Sequence, residues 1–339
     1  MQHEITRPIS LLDKEGNLTE PGYAKRLWPV YDRARVRGGL ARLKEWDSYL
    51  VMGEGFALSL TIADGFHMGL DAISLLDFSE GWQVTRRRRR AGNAGLPVTS
   101  AEGSVGNSGR GYGLFFQHDG KRRFLAAHMD QFGDGSPLDV SVELTDEPEE
   151  SMVICTPLGK PGHFCMRQKI NCMRASGKVS LGDRNYIFKP ERDFGVLNWG
   201  RGIWTGLGTW YWSSLSTLVN GVPFGMNLGY GFGDDSAATE NMFLYDGKVH
   251  KLERVRFHIP TRDGREIDAA PWTIRDDAGR LALTFTPMLH RVDRIGAGVS
   301  AGERRQVFGR FSGRAFLDDG RGLELKDTIG VAEAMKSRR

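Results

Sequence analysis

Apolar and polar residues alternate along much of the chain. In Leu138-Asp139-Val140-Ser141-Val142-Glu143-Leu144-Thr145 every even position is apolar and every odd one polar. Val255 to Ile259, Leu281 to Phe285 and Phe56 to Ile62 repeat the pattern. A period of two places alternate side chains on opposite faces, so each segment predicts a strand with one buried face. Six Asp-Gly pairs punctuate such segments: Asp64-Gly65, Asp119-Gly120, Asp134-Gly135, Asp246-Gly247, Asp263-Gly264 and Asp319-Gly320. Asp-Gly favours the positive φ of tight hairpins, which predicts antiparallel neighbours. Helical periodicity is scarce. Tyr23 to Arg37 holds a turn or two, interrupted by Pro29, and Gly330 to Arg338 reads as a fraying tail.

Many short strands without a nucleotide-binding loop predict an all-β chain of antiparallel sandwich or barrel type. At 339 residues the length suits two domains. The pattern breaks between Thr145 and Lys160, where Asp146, Glu147, Pro148, Glu149 and Glu150 follow one another. That break predicts a domain of residues 1–150 and a second of 151–339. Residues 86–111, five arginines followed by small residues, read as a mobile loop inside the first.

The charge belongs to that loop. The net charge is +4, and without Arg86 to Arg90 the balance is −1, which argues against a surface built to coat nucleic acid. The run then reads as a solvated loop, a lid over an acidic substrate, or a weak contact with phosphate or a membrane surface. Three cysteines without Cys-x-x-Cys spacing suit a reducing compartment. The polar start Met1-Gln2-His3-Glu4 lacks the apolar core of a secretory signal, so a cytoplasmic location is expected. Gly202 to Gly233 contains no charge, but its eight glycines and Pro223 exclude a spanning helix. No transmembrane segment is expected, and this stretch reads as buried or cleft-lining strands.

Several blocks are familiar. They are Leu43-Lys44-Glu45-Trp46-Asp47, Gln168-Lys169-Ile170-Asn171-Cys172, Asn198-Trp199-Gly200-Arg201-Gly202-Ile203-Trp204, Gly225-Met226-Asn227-Leu228-Gly229 and Glu240-Asn241. Together they resemble the bacterial family catalogued as domain of unknown function 2804, over nearly the whole chain. At the level of fold the chain is similar to the lipocalin-like tandem β domains of AttH-type proteins and carotenoid 1,2-hydratases. That resemblance implies two lipocalin-like β domains packed around an apolar cleft, with no cofactor. It assigns no reaction, because a fold hosts many functions.

Trp199, Trp204, Trp210 and Trp212 fall within fourteen residues, with Arg201 among them. Trp210 and Trp212 share a face on a strand, while a turn at Gly200 to Gly202 would set Trp199 and Trp204 apart. The group reads either as an aromatic cleft wall, with Arg201 on a ring or a ligand carboxylate, or as a large core. Asn227 and Asn241 complete the expected ligand-binding set.

Beyond thirty-two uncharged residues stand Asp234, Asp235 and Glu240. Carboxylates beside an apolar wall have raised pKa values and act as general acids, which makes Glu240 and Asp234 catalytic candidates. The bland alternative is a solvated turn capped by Asp234. His67 follows Asp64 by three residues, and His128 precedes Asp130 by two, sharing its face on a strand. Each pair would orient a base, although lone histidines are more often structural. No metal-binding histidine spacing and no Gly-x-Ser-x-Gly occurs, so neither a metal site nor a serine hydrolase is expected. The expected partner is an apolar, lipid- or isoprenoid-like small molecule, bound or turned over by acid–base chemistry. The oligomeric state is left open.

Overall fold

The computed structural model describes residues 2–37, 39, 42–65, 68–204, 208–295 and 302–337. Among them there is no α-helix, and the turn or two expected within Tyr23 to Arg37 is a single 3-10 turn at Arg33–Arg35. Tyr23 lies instead in the strand Gly22–Ala24, and Pro29 begins the strand Pro29–Val30. The protein is two large, curled antiparallel sheets.

The N-terminal sheet runs in the order Trp82–Ala91, Met68–Asp77, Phe56–Gly65, Leu43–Gly53, Phe194–Ile203, Phe164–Leu181, Ser136–Thr145, Arg123–Gly133, Tyr112–His118 and Gly103–Gly109, with three further strands off this path. The C-terminal sheet runs Lys248–Lys251, Met242–Tyr245, Val222–Tyr230, Thr209–Val219, Gly322–Ser337, Gly302–Phe316, Leu281–Ile295, Trp272–Asp276 and Val255–His258. All four alternating segments named above lie in strands, except that Ile259 follows the end of Val255–His258, and five of the six Asp-Gly pairs fall between consecutive antiparallel strands. Asp134-Gly135, Asp246-Gly247 and Asp263-Gly264 have positive φ at both residues, as a type I′ turn requires. Asp64 and Gly65 are the exception, and pair within the strand Phe56–Gly65.

Three readings change. The break at Thr145 to Lys160 joins two strands of one sheet, which ends in sequence with Phe194–Ile203, and the second sheet begins with Thr209–Val219. Met152–Pro157 and Phe194–Ile203 both hydrogen-bond to Phe164–Leu181, so the first sheet needs residues far beyond 150. The arginine run is the strand Trp82–Ala91, not a loop. Arg90 pairs with buried Asp64 and Asp71 at 2.5 and 3.1 Å, and Arg88 lies 4.8 Å from the centre of the Tyr112 ring. The expected tail is the strand Gly322–Ser337, flanked on both sides by partners.

Each sheet has its own apolar core, one around Leu58, Leu60, Ile62, Leu75 and Phe132, the other around Phe224, Met226, Trp272, Phe285 and Phe311. Two smaller clusters join the sheets. Leu50, Met52, Ala57 and Leu76 meet Phe308 and Val331, and Met152, Ile154 and Phe194 meet Met242 and Leu244. A bulge between Ile170 and Met173, with Cys172 at φ 63°, aims Asn171 across the junction. Its Nδ2 donates to Ser214 Oγ and Leu215 O at 3.0 Å and to Met226 O at 3.2 Å.

Candidate functional site

Register brings two rows of side chains face to face between the sheets. On the N-terminal sheet, paired residues run Lys169, Asn198, Ser48, Thr61, Ala72 and Arg87 across six strands. On the C-terminal sheet the facing row is Trp212, Glu333, Gln306 and Arg291. The rows touch at both ends: Lys169 Nζ lies 4.9 Å from the centre of the Trp212 ring, and Arg87 reaches Asp293 at 2.6 Å. Between the ends Asn198, Ser48, Thr61, Glu333 and Gln306 are only partly buried. The apolar cluster around Leu50 and Phe308 closes one side. The opposite face of the same N-terminal strands, at Leu58, Leu60 and Ile62, is fully buried.

The Lys169 end is aromatic and charged together. Trp46, Trp204, Phe232 and Trp210 form a chain of edge-to-face contacts with ring centres 5.9, 5.6 and 5.4 Å apart. Arg167 lies 4.2 Å from the centre of the Phe232 ring and donates to Glu240 Oε1 at 2.9 Å. Lys169 donates to Asn198 Oδ1 at 2.7 Å, and its Nζ is 4.0 Å from Glu240 Oε2. Trp46 Nε1 shares that Asn198 oxygen at 3.2 Å. Asn227 bridges the group, accepting from Trp212 Nε1 at 2.8 Å and donating to Glu240 Oε2 at 3.3 Å. Gly229 makes room for the carboxylate, because a Cβ there would meet Glu240 Oε1 at 2.5 Å.

Protonation follows from these contacts. Lys169 is 3% exposed, and burial lowers its pKa to about 8 against the pull of Glu240. Burial opposes the charge of Glu240, but Arg167, Lys169 and the bond from Asn227 outweigh it and hold the carboxyl below its usual value. Glu240 is therefore held as a carboxylate at neutral pH, the form that accepts a proton. Lys169 is the group poised to give or take a proton near neutrality.

The structure brings Glu240, Asn227, Trp204, Trp210 and Trp212 to this cleft and sends the other candidates elsewhere. Phe194–Ile203 continues as a strand through the expected turn at Gly200. Alternation therefore aims Trp199 and Arg201 into the N-terminal core, away from the cleft wall. Arg201 is 0% exposed, stacks 4.2 Å from the centre of the Trp199 ring, and donates to Asp47 at 2.9 Å and to Pro97 O at 2.7 Å. Asn241 is a buried scaffold residue, accepting from Gly229 N at 2.6 Å and donating to Glu253 O at 2.7 Å. It borders a separate depression of about 370 Å³ with Tyr230 and Arg256.

Asp234 is exposed and accepts from Ser236 N at 3.0 Å; hydrogen bonding from the side chain and backbone of Ser236 lowers its pKa. His128 is partly exposed, 2.8 Å from both Asp139 and Asp130, whose hydrogen bonds raise its pKa. His67 lies outside the described residues. Arg167, Lys169 and Asn171 were missed, although their period of two between Met166, Ile170 and Cys172 marks one polar face. Among the described residues no three His, Cys, Asp or Glu side chains gather as metal ligands, and no helix is long and apolar enough to cross a membrane.

Residues 2–338 match the model of the family described as domain of unknown function (DUF2804), and the chain belongs to that family. No curated protein matches the sequence. Among solved structures, the chain is similar to a protein from Nitrosomonas europaea provisionally assigned as AttH. The identity is 12% over 93% of this chain and 99% of that one, with a TM-score of 0.53. It also aligns with kievitone hydratase from Nectria haematococca, at 8% identity over 97% of this chain and 98% of that one, with a TM-score of 0.49. The first likeness establishes the shared two-sheet fold.

Proposed function

We propose that this member of the DUF2804 family binds an apolar small molecule, lipid- or isoprenoid-like, in the cleft between its two sheets. One observation carries the reading: Trp46, Trp204, Trp210 and Trp212 are all partly exposed around a cleft whose opposite strand faces are fully buried. Large aromatics gathered together and left partly exposed support a ligand surface over a core. The polar groups at the same end, Lys169 and Asn198, would orient a ligand oxygen. No cofactor is invoked.

Native mass spectrometry of the purified protein tests binding. A co-purified apolar ligand that is lost in Trp210→Ala supports the reading. A ligand retained by that variant removes this cleft as its site.

A second reading, acid–base chemistry on the bound molecule, is favoured by Lys169. A buried amine with a pKa near 8, fixed beside a carboxylate, suits proton transfer to or from a ligand. Hydration or isomerisation of an alkene-containing substrate are reactions of this kind. Product formation from the co-purified ligand by wild type but not by Lys169→Met would establish catalysis. Equal product from both would remove Lys169 from it.

A further inference from the structure

The far end of the cleft is differently built. Arg87, Arg291 and Arg304 converge on one carboxylate, Asp293, at 2.6, 3.1 and 2.8 Å. Asp293 and Arg291 are 9% and 7% exposed. Glu333, the next carboxylate along the row, accepts a bond from Gln306 at 3.1 Å. Three guanidiniums thus face two carboxylates and leave one positive charge over.

The hydrogen bonds are incomplete as well. Arg291 Nη1 donates to Ser74 Oγ at 3.0 Å, but its Nε lies near Asp293 without the alignment of a hydrogen bond. Arg304 Nε likewise has no acceptor. Buried guanidinium N–H groups are costly to leave without acceptors, and their fork matches a carboxylate. Burial and the neighbouring Arg304 bring the pKa of Arg291 down to about 10, which marks how poorly its charge is compensated.

We propose that this end, at Arg291 and Arg304, receives a carboxylate of the ligand. The inference rests on the cleft being the binding site and names the ligand's class: an elongated apolar molecule with a terminal carboxylate. The geometry sets the reach. Trp212, Glu333, Gln306 and Arg291 span three strand spacings, roughly 14 Å at about 4.8 Å each. An apolar body against Trp210 and Trp212 would thus place its acid at the arginines and its other end beside Lys169.

The test compares retinoic acid with uncharged retinol, titrated against the intrinsic tryptophan fluorescence of the full chain. Wild type is expected to bind the acid about tenfold more tightly than the alcohol. Arg304→Gln, at a partly exposed position, should abolish that preference and leave retinol affinity unchanged. Arg86→Gln, an exposed neighbour in the arginine strand, should leave both affinities unchanged. Retinol binding with no preference for the acid, or a preference that survives Arg304→Gln, overturns the carboxylate site and spares the cleft. Binding of neither probe overturns both.

Discussion

Lys169 stands on one sheet and Trp212 on the other, with the ammonium 4.9 Å from the centre of the indole ring. That contact places a cation, a π face and the Glu240 carboxylate at one end of a single cleft. Its consequences can be measured.

Proton loss from Lys169 should be visible in binding. Benzophenone, a neutral aromatic ketone, can accept a hydrogen bond from the ammonium but not donate one. Its affinity, read by tryptophan quenching, is expected to fall as pH rises through about 8. Lys169→Met should remove that inflection. Stability runs the other way. An unfolded lysine titrates near 10.5, so between pH 8 and 10.5 the unfolded chain holds the extra proton and wild-type stability rises with pH. Lys169→Met should lose the share of that rise that Lys169 supplies, while Lys44 and Lys251, whose pKa values burial also lowers, keep theirs.

Glu240→Gln removes the carboxylate that compensates Arg167 and Lys169. Leaving buried charge unpaired costs on the order of 3 kcal/mol, read as a lower urea midpoint at unchanged slope. Adding Lys169→Met should recover part of the loss. Equal losses from the single and double variants would show that the pair is not coupled.

Gly200→Ala probes the aromatic wall. A Cβ at Gly200 would lie 2.0 Å from Cζ2 of Trp46, so the indole must swing off Asn198. Ligand affinity should fall about tenfold while stability changes by about 1–3 kcal/mol. Unchanged affinity would place Trp46 outside the binding surface.

The arginine strand predicts a split within one run. Arg90→Ala strands Asp64 and Asp71 and should lower stability by about 3 kcal/mol. Arg86→Ser and Arg89→Ser, both exposed, should stay within about 0.5 kcal/mol by the same denaturation assay. Equal tolerance at all three positions would return the run to a solvated loop.

The strands that bury one face were legible, because alternation survives wherever the other face meets water. Gly322–Ser337 was not. It lies mid-sheet, with Ala332 and Ala334 buried in the core and Val331 buried on the facing side, so part of it lacks an apolar–polar rhythm. The arginines misled because their partners, Asp64, Asp71 and Asp293, are remote in sequence. The tryptophan cluster divides between two faces. Trp199 and Arg201 sit on the strand face opposite Asn198 and Gly200, and a single uncertain turn decided their direction. Glu240 was found, but its protonation state depends on Arg167 and Lys169, some seventy residues away.

Photo-crosslinking locates the ligand site most directly. Benzophenone irradiated with the protein and mapped by peptide mass spectrometry should label strands that wall the cleft, above all Leu43–Gly53, Thr209–Val219 and Gly322–Ser337. Preincubation with excess retinol should suppress that labelling. A different outcome is open to the shallow depression of about 480 Å³ lined by Gly106, Phe115, Ala126 and His128, where Phe115 is 41% exposed. Retinol-sensitive adducts confined to that surface would contradict a binding site between the sheets.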